Sequence, residues 1–237
     1  MTRRLPVVPA SLAALLFSGA LLLAAAPGSN KQTATKKATP ARATEAPAVA
    51  TSTISVGGVN DIDPAKAFGS KSAPVVVEIF SDFQCPACRQ LFLNTTQRVM
   101  DNYVNTGKIF LVHRDFPLPM HAYSRVAASY ARAAAHIGKC ESVETALFQN
   151  QDKWEASGDV KGTVAGVLSA SEMKKVEAIV DSKELEPLID KDKAIGMTFP
   201  VSQTPTTVFH AHGQTYPYAG SLSYDVLKDF LDQLLKQ

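Results

Sequence analysis

The chain has 237 residues, 46% of them hydrophobic and 19% charged, which is enough apolar material for a core and excludes disorder throughout. Its formal net charge is +2, from 24 basic and 22 acidic residues, so it lacks the basic excess that nucleic-acid binding draws on. Three cysteines are too few for a disulfide-stapled miniprotein, and two of them form Cys85-Pro86-Ala87-Cys88.

Arg3 and Arg4 precede an uncharged stretch, residues 5–26, whose densest apolar part is 12–26. A short basic segment followed by an apolar one reads as a secretory signal, and this stretch also reaches the length of a membrane span. Residues 1–26 are therefore expected to be a signal peptide or a membrane anchor. Either puts the remainder outside the cytoplasm, because the positive end stays inside. Residues 27–53 are Ala, Thr, Lys and Pro with almost no large apolar side chain, and they read as a disordered linker.

Ile54-Ser55-Val56 is expected to be a short edge strand, and 61–72 a loop or short helix. Val75 to Phe80 is a near-continuous apolar run of strand length, which suits a strand buried on both faces. A helix is predicted from the cysteine motif to about Tyr103, ending at Asn105-Thr106-Gly107. Ile109 to His113 is the next strand, which makes a parallel, right-handed βαβ unit. The pattern then turns helical. Helices are predicted over 121–137, 142–151, 160–168, 169–180 and 184–194. Ser169 and Glu172 have capping-box spacing, and Pro187 stands in a first turn. Thr206–His210 and Thr215–Tyr218 flank Ala211-His212-Gly213-Gln214 as a hairpin, and 223–236 closes the chain as an amphipathic helix. The order gives one α/β domain in two parts, 54–119 and 196–237, with a helical insertion at 120–195.

Two cysteines three apart at a helix start can close a small disulfide. The first sits where unpaired backbone N–H groups and the helix dipole favour negative charge. Cys85 is thus expected as a thiolate near neutral pH, a good attacking and leaving group. Cys88, one turn on, faces inward as the resolving thiol. Pro86 suits the first turn, and the small Ala87 leaves the sulfurs accessible. An inert staple and a metal site are the competing readings, and no second Cys-x-x-Cys or nearby His pair completes four ligands. Asp82 either tunes Cys85 or caps its loop. Cys140 is an odd, spare thiol, expected to be buried. His210 and His212 could share a face but lack a third ligand. Trp154, Tyr130 and Phe148 read as core of the helical block.

Three stretches resemble the DsbA-like thiol:disulfide oxidoreductases of the thioredoxin superfamily. They are Val76-Val77-Glu78-Ile79-Phe80-Ser81-Asp82-Phe83-Gln84-Cys85-Pro86-Ala87-Cys88-Arg89, Phe116-Pro117-Leu118-Pro119-x-His121, and Gln203-Thr204-Pro205-Thr206. The resemblance covers about residues 60–237. It implies a thioredoxin fold with an inserted helical domain. It implies that Pro205 is cis and packs beside the disulfide, and that Thr204 offers backbone groups to an extended substrate chain by strand addition. Pro86, Ala87 and His121 complete the expected substrate-facing set. Glu78, in an otherwise apolar strand, is expected to shuttle the proton of Cys88; a solvent-facing edge-strand glutamate is the alternative.

The implied activity is disulfide introduction into reduced, unfolded secreted proteins in the periplasm or another extracytoplasmic space. A membrane reoxidant is implied, and the chain is expected to be a monomer. The redox-active disulfide itself is the working group, with no organic cofactor and no metal. A reductase or isomerase of the same fold remains open, although 27–53 is too short and polar for an isomerase's dimerisation domain. A non-catalytic Cu(I) carrier is the rival of another class; its helper methionines would cluster, yet Met100, Met120, Met173 and Met197 are scattered.

Overall fold

A computed structural model describes Val49 and residues 52–237. The expected leader, 1–26, and nearly all of the expected linker, 27–53, lie outside the described residues. Among the described residues no helix is long and apolar enough to cross a membrane.

Among the described residues, seven strands form two sheets. β1 (Ile54–Val56) and β2 (Val59–Ile62) make a separate antiparallel hairpin. β3 (Ala67–Gly69), β4 (Val75–Ser81), β5 (Ile109–Asp115), β6 (Thr206–Ala211) and β7 (Gln214–Ala219) make the main sheet in the order β3-β5-β4-β6-β7. β4 and β5 run parallel, as the βαβ reading requires, and every other neighbour pair is antiparallel. The segment expected as loop or short helix thus holds β2, a 3-10 turn at Pro64–Lys66 and β3. Asp63 starts that turn by accepting a hydrogen bond from the Ala65 N–H. Two three- or four-residue strands carry too little periodicity to be told from loop.

The helix after the cysteine motif, α1, spans 86–104. Its α-helical turns, Pro86–Leu91 and Gln97–Val99, alternate with π-helical turns, Phe92–Thr96 and Met100–Val104. Gly107 follows in the left-handed region at φ 73°. Between β5 and β6 lie α2 (Ser124–Ala135), α3 (Cys140–Gln149), α4 (Gln151–Ser157), α5 (Val160–Ala165), α6 (Ala170–Ser182) and α7 (Glu186–Thr198). The Ser169–Glu172 capping box opens α6, and Pro187 stands in the first turn of α7. The sequence reading ends one helix at Gln151. The chain instead breaks at Asn150 and starts α4 there, a short helix with too few residues to show its own period. Ser223 caps the last helix, α8 (Tyr224–Leu234).

Alternation along β4 sorts the core. Val75, Val77 and Ile79 pack with Leu91, Val99 and Tyr103 of α1 and with Leu227 and Leu231 of α8. Val76 points the other way, with Phe110 and Val112, against Val56, Val59 and Ile62 of the hairpin. Phe80 shares that second face with Phe116, Val201 and Val208. The helical insertion closes a third core over the cysteine motif, where Phe83, Cys85, Cys88 and Phe92 meet Phe148, Trp154 and Val164. β7 is a sheet edge, largely exposed, with Pro217 opposite Val208. This is the thioredoxin arrangement with a helical insertion that the resemblance implied.

Candidate active site

Cys85 is the N-cap of α1, at φ −78° and ψ 119°, and Pro86 takes the first helical position. Cys85 and Cys88 are free thiols, so the structure describes the reduced pair. Cys85 is 7% exposed and Cys88 1%. Pro86 is exposed and Ala87 half-buried beside them. The two sulfurs differ in chemistry. The Cys85 thiol is pulled down to about 5 from an ordinary 9.0. Its hydrogen bond with the Cys88 thiol is the largest cause; burial opposes it; the backbone N–H groups of Cys88 and Ala87 add to it. The helix mouth therefore contributes, as the sequence suggested, but the partner thiol leads. Cys88 is pushed well above the usual thiol range, first by burial and then by Cys85.

The β6 approach meets this motif directly. Thr204–Pro205 is a cis peptide, and the Thr204 carbonyl accepts a hydrogen bond from the Cys85 Sγ at 3.2 Å. The Thr204 hydroxyl is buried and has no hydrogen-bond partner among the described residues. Asp82 acts as a loop organiser. Its carboxylate accepts from the N–H groups of Gln84 and Leu118, both at 2.7 Å, and lies 2.8 Å from His121 Nδ1. Its own N–H faces Cys88 Sγ at 3.5 Å. His121 thus belongs to the rim of the motif, half-buried and tied to it through Asp82.

Glu78 does not join this group. It shares the strand face of Val76 and Phe80, whereas Ile79 lines a cavity with Cys88. Glu78 is fully buried and paired, 2.6 Å from Arg114 Nε and 2.9 Å from His210 Nε2. The expected lone carboxyl next to Cys88 is thus corrected to an ion-paired one on the opposite side of the sheet. His210 and His212 also diverge. His212 sits in the β6–β7 turn at φ 52°, and its Nε2 lies 2.8 Å from the Leu234 carbonyl oxygen. Among the described residues no group of three or more His, Cys, Asp or Glu side chains is arranged to hold a metal ion.

The charged groups on the Cys88 side were not foreseen. A cavity of about 20 Å3, room for one water molecule, is lined by Cys88, Ser81 and Ile79 together with Lys66, His113, Asp115 and Glu144. Lys66 Nζ lies 2.6 Å from Glu144 and 3.2 Å from Asp115. His113 Nδ1 lies 2.6 Å from the other Glu144 oxygen. Burial opposes the charge of Glu144, but His113 and Lys66 hold its carboxyl well below the ordinary range. Burial likewise opposes the charge of Lys66, and Asp115 and Glu144 more than restore it. His113 could have been found by parity, since it follows Ile109 and Leu111 on the inner face and stands opposite Ile79. Lys66 and Glu144 come from distant segments and leave no local signal. Cys140 opens α3, buried, its thiol pushed up by burial and by Glu144. Trp154, Tyr130 and Phe148 are core residues of the insertion, as expected.

Gln151, at the start of α4, was also missed. Its Nε2 donates to the carbonyl oxygens of Phe83, at 2.6 Å, and Cys85, at 3.2 Å.

Comparison with known proteins bears on this arrangement. A family model described as thioredoxin matches residues 63–233. A probable disulfide bond formation protein D of Bacillus cereus is 24% identical over 178 residues, covering 73% of this chain and 79% of that protein. The crystal structure of oxidised BdbD from Bacillus subtilis superposes with a TM-score of 0.60 at 18% identity, covering 73% of this chain and 93% of that one. A thioredoxin-like oxidoreductase from Silicibacter pomeroyi gives 0.61 at 24% identity, covering 74% and 95%. The profile match spans most of the chain, and its fold carries the paired cysteines at a helix mouth, so the chain belongs to the thioredoxin family.

Proposed function

We propose that this chain introduces disulfides into reduced secreted proteins outside the cytoplasm, with Cys85 as the attacking and leaving sulfur and Cys88 as its resolving partner. One observation carries the reading: two thiols one turn apart, one at a helix mouth, 7% exposed and pulled down to about 5, the other 1% exposed and pushed up. A low-pKa sulfur stabilises the reduced pair and so makes the disulfide oxidising.

In the oxidised enzyme a substrate thiolate attacks Cys85 Sγ. The Cys85–Cys88 bond breaks, and Cys88 leaves with the electron pair and takes a proton. A second substrate thiolate then attacks the substrate sulfur of the mixed disulfide, and Cys85 leaves as a thiolate. Two substrate thiols have become one disulfide, and the enzyme pair holds the two electrons until a membrane-bound oxidant removes them. The proton for Cys88 comes across the cavity from His113, held by Glu144 and reaching the surface with 12% of its side chain. Glu78 has no part in that transfer. The cis-Pro loop serves as the docking edge for the extended substrate: Thr204 already occupies the sulfur's partner position, and Pro86, Ala87 and His121 form the rim around it. Placement outside the cytoplasm rests on the basic and apolar leader and on the named roles of the relatives.

The test is a pair of variants acting on a reduced, unfolded test protein. Cys85→Ser abolishes its oxidation. Cys88→Ala accumulates covalent enzyme–substrate complexes, which non-reducing gels detect. Turnover retained in both variants defeats the mechanism. The direction of flow is read from the reduction potential: a value near thioredoxin's, about −270 mV, points to a reductase, and one near −120 mV to an oxidase.

A further inference from the structure

We propose that Gln151 is a positioning residue of the redox centre, through which the helical insertion aims the Cys85 sulfur without touching it. The inference rests on the redox role proposed for Cys85.

The backbone at the cysteine motif lacks one hydrogen-bond donor. The Cys85 carbonyl belongs to the Cys85–Pro86 peptide, and proline has no N–H. No hydrogen bond can hold that peptide plane from its nitrogen side. Its orientation is ψ of Cys85, here 119°, and the same rotation sets the sulfur against the N–H groups of Ala87 and Cys88. Something must hold the plane from the carbonyl side. The first helical bond, from the Arg89 N–H at 3.1 Å, does part of this. Gln151 does the rest. Its amide has two hydrogens, and the Phe83 and Cys85 carbonyl oxygens, two residues apart, each receive one, at 2.6 and 3.2 Å. Gln151 is 1% exposed and Phe83 4%, so removing the amide leaves the buried Phe83 carbonyl without its side-chain donor and the Cys85 carbonyl with the Arg89 N–H alone.

The residue also has a rigid base. It opens α4, whose Trp154 is buried and donates from Nε1 to the Leu147 carbonyl of α3 at 2.7 Å. Nearby bonds guide the same loop from the insertion: the Tyr123 N–H donates to Gln84 Oε1, and Arg89 pairs with Asp152 at 2.8 Å. Of these bonds from the insertion, the one from Gln151 to the Cys85 carbonyl falls on the cysteine's own peptide. A shift of α4 would therefore be felt at the sulfur as a change in ψ.

The experiment uses the full chain with Gln151→Met, which keeps length and apolar packing but removes both donors, and Gln151→Glu, which keeps shape and turns acceptors on the two carbonyls. Thermal melts of the oxidised proteins establish that each is folded. Absorbance of the thiolate near 240 nm gives the ionisation midpoint of Cys85, and equilibration with glutathione gives the potential. The expected result is a midpoint raised by about one pH unit and a disulfide about tenfold less oxidising, which is about 30 mV for two electrons. The shift is larger for Gln151→Glu than for Gln151→Met. A folded Gln151→Met protein with the wild-type midpoint and potential overturns the proposal. If the wild-type protein itself ionises like a free cysteine, the redox role of Cys85 falls first and this inference with it. If only the variants match a wild type that ionises near 5, the redox role stands and Gln151 is packing alone.

Discussion

Neighbouring residues of β4 look onto two different buried clusters. On the Ile79 side, Cys88 meets Lys66, His113 and Glu144 across a one-water cavity. On the Glu78 side, the carboxylate is locked by Arg114 and His210 and does not line that cavity. The clusters are joined, since Asp115 contacts both Lys66 and Arg132, and Asp192 contacts both Arg132 and Arg114. Both are buried and both mix acids with bases. What separates them is parity. A one-residue difference along a strand decides whether a carboxylate faces a reactive thiol or a structural arginine.

The comparison breaks most visibly at Lys66. Replacing it by Met leaves Glu144 and Asp115 without their shared cation. The expected cost is about 3–5 kcal/mol of stability in urea unfolding of the oxidised protein. A loss near zero would mean the cation is not integral to the Cys88 side.

The next effect separates the two carboxylates directly. Glu144→Gln is expected to slow opening of the disulfide by a small thiol about a hundredfold at neutral pH, the lower end of what a positioned proton donor supplies. Glu78→Gln is expected to leave that rate within about twofold while lowering the melting temperature. Rapid quench and gel separation of the mixed disulfide measures both. Equal slowing in the two variants would erase the distinction between the faces.

A third effect is a pH dependence confined to the reduced protein. The Cys85 thiol ionises near 5 in the fold and near 9 in the unfolded chain. Its contribution is therefore fully present above pH 9, shrinks as pH falls, and is gone below about 5. The oxidised protein has no such group. The melting temperature of the reduced form is expected to rise against that of the oxidised form between pH 5 and 8, and Cys85→Ser removes the rise. Parallel curves for both redox states would contradict the assigned ionisation.

Much of this was readable before any coordinates. The apolar run at Val75–Phe80, the motif helix, the His212-Gly213 turn and the Ser169 capping box each carry a local rule, and each element is present. The cysteine pair was readable for the same reason, and the Thr204–Pro205 approach through the resemblance. The groups acting on Cys88 were not. Lys66 precedes a three-residue strand, and Glu144 lies on a helix where an acid reads as solvent-facing. Their meaning comes only from meeting, 78 positions apart, and no local period encodes that. Glu78 misled for the opposite reason: its position in the motif was familiar, but whether it faced the thiol depended on the parity of its neighbour Ile79.

Pro217 has a consequence for the company this protein keeps. On the function proposed above, the protein works among half-folded chains rich in unsatisfied backbone. An open sheet margin would invite them to zip on and stay. At the β7 margin a proline withholds one amide proton from the row offered outward, so a visiting strand finds the ladder missing a rung. If the proposed exchange holds, substrates are then captured through sulfur, a bond the enzyme can undo, and not through a lengthening sheet that it cannot.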